Sequence, residues 1–269
     1  MSTTNSQTVV FTEQVDRALS NTALQQAMGR AESGFVETRR QRVHEMPEFE
    51  LLRDTGRDIK EHTLEHLDAY LEMFEQQVTD NGGTVHWARN DEEACRVVLD
   101  ICKQADAHRV IKGKSMMAEE INLNAALEAS GLEVVETDLG EYIVQLAKEM
   151  PSHIIAPAMH KTKNQIAELF HRHHQRLGYK DKVVSREAIV SQARQVLRDV
   201  FISADVGITG ANFLVAETGS NVIVTNEGNA DLSSCLPRVQ IVTAGIEKVI
   251  PSLEDLSVFL RLLARSATG

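Results

Sequence analysis

From Gly83 onward the chain alternates short β-rich runs with helical stretches, and that alternation limits the fold more than any other feature. Residues 84–87 read as a strand, and Asn90-Asp91-Glu92-Glu93 then caps a helix to about residue 105. Residues 109–112 form a second strand, and Ser115 opens a helix to residue 130. A third strand falls at 132–137, a helix starts near Gly140, and a fourth strand falls at 152–156. Thr162-Lys163-Asn164-Gln165 then has capping-box spacing for the next helix. Strands separated by helices of about 10–15 residues indicate βαβ units, because parallel neighbours need a crossover of that length. The expected class is therefore α/β with a parallel sheet.

The flanks read differently. Residues 11–80 show only helical pattern, broken near Ser33-Gly34 and Met46-Pro47. Leu64, Leu67, Leu71, Phe74 and Val78 make one apolar stripe on the last helix, and Asn81-Gly82-Gly83 stops it. The expected division is an N-terminal helical arm over 1–80 and an α/β domain over 81–269. After a polar linker at 179–185, Ile189, Ala193, Val196, Leu197 and Val200 mark another amphipathic helix. Residues 204–244 read as strand after strand, with a hairpin turn at Glu217-Thr218-Gly219-Ser220 and a further strand at 239–243. Ser252-Leu253-Glu254-Asp255 caps a last helix to residue 265.

A formal charge of −11 and no basic run argue against a nucleic-acid or anionic-membrane partner, since both need clustered Lys and Arg to neutralise phosphate. No apolar stretch approaches the roughly 20 residues of a membrane span. Residues 1–10 lack the basic and apolar regions of a secretory signal. Cys95, Cys102 and Cys235 form no CxxC, which suits buried thiols in a reducing compartment, so a cytoplasmic location is expected.

Several residues could carry chemistry. His62-Thr63-Leu64-Glu65-His66 fits H-x-x-E-H, a zinc pattern. At about 100° per residue, however, the histidines lie opposite the leucine stripe and face solvent. His160, His171, His173 and His174 are a second candidate, where only 171 and 174 share a helix face, and a polar helix end explains them as well. No metal site is expected. Lys112-Gly113-Lys114-Ser115 lies between a strand and a helix but has His108 where a P-loop needs glycine. It reads either as an anion site or as a simple cap with solvated lysines. The richest stretch holds Thr209, Gly210, Asn212, Glu217, Thr218, Gly219, Asn226, Glu227, Gly228 and Asn229: two glycine-bearing turns, each with a glutamate, bracketing an apolar strand. Glycine admits a ligand close to the backbone and a glutamate can serve as base or nucleophile, although ordinary turns use the same residues.

Residues 112–146, 151–162, 204–232 and 236–269 together carry a resemblance to the N-terminal LUD domain of lactate-utilization iron–sulfur proteins, covering about residues 10–269. The resemblance implies a Rossmann-like parallel sheet of the CoA transferase and sugar-phosphate isomerase type, with an added β region. It also implies a role in oxidising L-lactate to pyruvate beside other subunits of the lactate-utilization system. The LUD domain would bind a small anionic metabolite or dock those subunits, and self-association through the arm is compatible with it. Two 4Fe–4S clusters are expected beyond the point matching Gly269. The three cysteines here lack cluster spacing, so no cofactor is expected in this chain, which reads as a trimmed form. Analogy with CoA transferases gives the alternative of an acyl-CoA or phosphosugar enzyme using Glu217 as nucleophile.

Overall fold

The computed structural model describes residues 4–267 apart from 32, 33, 35, 114, 150, 152–155 and 226. Five helices come first: α1 (Thr4–Ser20), α2 (Thr22–Ala31), α3 (Glu37–His44), α4 (Phe49–Glu65) and α5 (Leu67–Asp80). The central region holds α6 (Asp91–Gln104), β1 (Arg109–Lys112), α7 (Met116–Glu120), α8 (Leu123–Ala129), β2 (Glu133–Glu136), α9 (Leu139–Ala147), α10 (Lys163–His174) and α11 (Arg186–Ser203). The remainder comprises β3 (Val206–Thr209), β4 (Phe213–Val215), β5 (Ser220–Val222), α12 (Asn229–Cys235), β6 (Val239–Val242), β7 (Val249–Ile250) and α13 (Leu253–Ala267).

β2-β1-β3-β6 form a four-stranded sheet, parallel throughout. Alternate residues of a strand face opposite sides, so each strand feeds two cores. Val110, Val206 and Ile208 pack with Val98 and Cys102 of α6 and Leu123 and Leu127 of α8. Ile111 faces the other way, into Tyr142 and Ile143 of α9, Phe170 of α10 and Ile189, Leu197 and Phe201 of α11. Leu123, Leu127 and Phe170 are wholly buried, which favours the fold by roughly 1.5–3 kcal/mol for each such side chain. The α/β class and the parallel sheet expected from the alternation are both present.

A second sheet, β5-β4-β7, stands beside the first. β4 and β5 make the antiparallel hairpin read at Glu217-Thr218-Gly219-Ser220, while β7 joins β4 in parallel. One face meets Leu67, Leu71 and Phe74 of α5, and the other meets Leu256 and Phe259 of α13. α3 and α4 pack on α13 through Met46, Phe49 and Leu52 against Val258 and Leu262.

Local caps largely follow the sequence. Asn90 accepts from Glu93 N, Ser115 from Ala118 N, Ser185 from Ala188 N, and Thr162 with Gln165 forms the capping box. Four readings change. Residues 84–87 join no sheet; the segment is tied to α5, where the Trp87 indole donates to Glu75 at 3.1 Å. The helix read from Ser115 to residue 130 is two, because Asn122 adopts φ +52° between α7 and α8. The 204–244 region is not all strand: α12 lies inside it, and β3 and β6 belong to the main sheet. The stripe beginning at Leu64 is cut at His66, leaving Leu64 exposed while Leu67, Leu71 and Phe74 pack. The strand read at 152–156 falls, except for 156, outside the described residues. Cys102 is buried and its thiol pushed up to about 11 by burial, whereas Cys235 is exposed, contrary to expectation.

The histidines are placed too. His62 Nε2 lies 2.9 Å from the Tyr70 hydroxyl and His66 Nδ1 lies 3.0 Å from His62 O, both on an exposed surface as expected. His174 does end α10, but it is buried in the core rather than exposed at a polar end. Its Nε2 lies 2.9 Å from the Tyr142 hydroxyl and its Nδ1 3.0 Å from Gln192 Oε1, and burial holds its pKa below the usual histidine range. Among the described residues, no group of three or more His, Cys, Asp or Glu could hold a metal ion. No described helix is long and apolar enough to cross a membrane.

Candidate functional site

In open parallel sheets, ligands bind beyond the carboxyl ends of the strands where the strand order reverses. Here that point lies between β1, whose chain leads on to β2 at one side, and β3, which sits at the other. The loops converging there begin at Gly113, Thr137, Gly210 and Thr243. Gly113 N donates to Ile208 O at 2.8 Å, and Thr137 N donates to Lys112 O at 2.9 Å. Ser115 Oγ lies 3.0 Å from Thr243 Oγ1, which links the loops after β1 and β6. Thr137 Oγ1 is within hydrogen-bond distance of Ser233 Oγ (3.1 Å), tying α12 to the same end.

α12 comes this close because of one glycine. A Cβ at Gly207 would lie 1.9 Å from Ser233 O, so the helix rests directly on the β3 backbone. The same face of β3 carries Thr209. Its side chain is 1% exposed, and Oγ1 has no hydrogen-bond partner among the described residues. An unsatisfied buried hydroxyl costs roughly 1–3 kcal/mol, so its persistence in a polar loop cluster points to an external partner.

On the opposite face sits a charged centre. Lys112, 1% exposed, pairs through Nζ with Glu136 Oε1 at 2.9 Å, and Asn124 Nδ2 donates to that same oxygen at 2.6 Å. Glu136 Oε2 and Asn124 Oδ1 are buried without partners among the described residues. Burial pushes the Glu136 carboxyl up, with the Lys112 charge opposing it. Glu141, in the first turn of α9, is pushed up to about 8 by burial and then by the negative charges of Glu119 and Glu136. Such a carboxyl holds a proton at neutral pH and can give it up or take it back.

The sequence-read residues thus divide. Thr209, Gly210 and Ser115 meet at the strand ends, where Ala230 in the first turn of α12 comes up to Gly113, while Gly228 and Asn229 open that helix just before it. Lys112 is at the site, but Glu136 occupies its ammonium. Lys114 and Asn226 lie outside the described residues, and Glu227 has a bonding partner. Asn212 Oδ1 accepts from Val224 N at 2.8 Å, bracing the hairpin. Glu217 and Thr218 are carried away by the length of β4, roughly 10 Å at about 3.3 Å per residue. The Glu217 carboxylate accepts from Leu253 N at 2.9 Å, at the opening of α13, and Thr218 O accepts from Asn81 Nδ2 at 3.2 Å. Gly219, at φ +67°, sits so near α5 that a Cβ would fall 2.6 Å from Val78 N. Glu136, Glu141, Asn124 and Thr243 were missed. Their one signal was a glutamate closing the apolar run Glu133-Val134-Val135-Glu136.

The LUD domain profile matches residues 71–269. The chain belongs to the LUD domain family. It is 45% identical over 260 residues to "Lactate utilization protein B" of Lysinibacillus sphaericus, with 96% of this chain and 54% of that protein covered. The same coverage holds for "Lactate utilization protein B" of Geobacillus sp., also at 45%. "Uncharacterized electron transport protein YkgF" of Escherichia coli is 41% identical over 259 residues, at 96% and 54% coverage. This LUD domain chain therefore spans about half the length of the curated relatives it matches. No solved structure matches it.

Proposed function

We propose that this LUD domain is the ligand-binding part of an iron–sulfur electron-transfer protein serving the oxidation of L-lactate to pyruvate. Its site is the crevice beyond β1 and β3, where it takes a small anionic metabolite. The relatives' names support the pathway, and the buried Thr209 hydroxyl, without a partner among the described residues, carries the site. The two 4Fe–4S clusters belong to the other half of such a protein, and the remaining subunits of the lactate-utilization system dock beside it. The Rossmann-like sheet with its small companion sheet suits the CoA transferase and sugar-phosphate isomerase type.

Thermal unfolding with L-lactate, pyruvate, coenzyme A or sugar phosphates tests this, using the chain and its Thr209→Val variant. A ligand at a hundred times its dissociation constant adds about 2.7 kcal/mol. For a chain of this size that raises Tm by roughly 5–10 °C. One of these compounds is expected to do so for the native chain and to lose the effect in Thr209→Val. No shift with any of them, or equal shifts in both proteins, refutes the site.

A further inference from the structure

Outside that crevice, a cleft of about 580 Å3 opens between α9, α10 and α11. Its floor is apolar: Leu139 and Ile143 from α9, Ile166 from α10 and Ile189 from α11. Its rim is cationic, with Lys161, Lys163 and Arg186. Lys161 is committed to Glu149, which also holds His160 at 2.8 Å. Lys163 and Arg186 are exposed, and among the described residues neither makes an ion pair; Glu187 feels the charge of both. Thr162 and Ser185 already cap the helices that start here, so a ligand's charge falls to the ammonium and guanidinium groups.

A chain of net charge −11 places two unpaired cations over an aliphatic floor, in a cleft within the range of about 300–1,000 Å3 typical of small-molecule sites. Water on that floor gains nothing from the isoleucines, and neither cation is held in an ion pair among the described residues, the exposed Glu187 acting on both only from beyond ion-pair distance. An occupant that answers both has a hydrocarbon body and one anionic end. We infer that this cleft binds a medium-chain monocarboxylate, with the chain along Ile143, Ile166 and Ile189 and the carboxylate between Lys163 and Arg186. The site is separate from the strand-end crevice, and its failure leaves the proposed function untouched.

The test uses the whole chain with isoleucine methyl groups labelled for NMR. Decanoate, titrated to about 1 mM, a weak-binding limit near −4 kcal/mol, is expected to shift the methyl signals of Ile143, Ile166 and Ile189 together. Each methylene between octanoate and decanoate should tighten binding by up to roughly fourfold. Acetate has the charge without the chain and 1-decanol the chain without the charge; both should bind at least about tenfold more weakly. The double variant Lys163→Glu/Arg186→Glu changes only exposed side chains, so the fold is retained, and it should weaken decanoate by at least roughly tenfold. Silence of the three methyls, shifts confined to other isoleucines, decanol matching decanoate, or undiminished binding to the charge-reversed variant each overturns the inference.

Discussion

Replacing Lys112 by Met removes one member of a buried pair and leaves the other. Glu136 is 3% exposed, its Oε1 would keep only the Asn124 amide, and its Oε2 has no partner among the described residues. Breaking such a pair from one side costs roughly 3–5 kcal/mol, whereas replacing both partners with apolar groups of similar volume is often neutral. With an m-value of about 2 kcal/mol/M in urea, the midpoint should fall by roughly 1.5–2.5 M. Lys112→Met/Glu136→Leu should recover most of that loss. pH supplies an internal control. Without the lysine, only the Asn124 hydrogen bond opposes the burial that raises Glu136, so the folded chain takes up a proton more readily and the penalty shrinks as pH falls. Urea unfolding followed by circular dichroism at pH 5 and pH 8 measures all three effects. A single variant costing under about 1 kcal/mol, or a double variant as unstable as the sum of the singles, refutes the buried-pair reasoning.

Gly219→Ala combines a positive φ of +67° with a Cβ 2.6 Å from Val78 N. Backbone cannot yield like a side chain, so a loss of roughly 2–4 kcal/mol is expected in denaturant unfolding. Glu141 rises from 4.5 to about 8 on folding, so its contribution to stability is complete below about pH 4.5 and lost as pH rises through 8. Glu141→Gln should accordingly flatten the pH dependence of Tm and exceed the native chain at pH 9. Glu217→Ala removes an acceptor at the opening of α13, which should cost roughly 0.5–2 kcal/mol while leaving binding at Thr209 intact. Calorimetry on that variant checks both halves.

The parts of the fold decided by neighbouring residues were legible in the chain. Arg109–Lys112 stood out as a β-branched Val110-Ile111 pair closed by Gly113, and Ser115, Asn90 and Thr162 announced their helices because a cap is a contact across three residues. Residues 84–87 have the composition of a strand, but strand propensity records fit to a sheet, and here Trp87 found α5 instead. α12 escaped because seven residues are too few to set up a periodic stripe, and its reason for being there is Gly207, 22 positions before its start. The site divided the same way. Thr209, Gly210 and Ser115 were visible as residues following strands. Glu136 became Lys112's partner only through the registry of β2 on β1, and Glu141 only through the docking of α9, neither of which local pattern records.

The two sheets share a pair of tracks. β3 leads into β4 and β6 into β7, and the tracks pair in parallel, separate, and pair again. Five residue steps separate Thr209 from Leu214 on one track, but seven separate Val242 from Val249 on the other. Two strands zipped at both ends with unequal lengths between cannot lie flat, so the longer one must bow. The extra length is taken up by a 3-10 turn at Ile246–Lys248, and Lys60 Nζ donates to the carbonyls of Glu247 and Val249 at its end. The first residue of that stretch, Thr243, donates from N to Thr209 O at 2.8 Å, so a guest at the Thr209 hydroxyl would sit beside the start of the longer track.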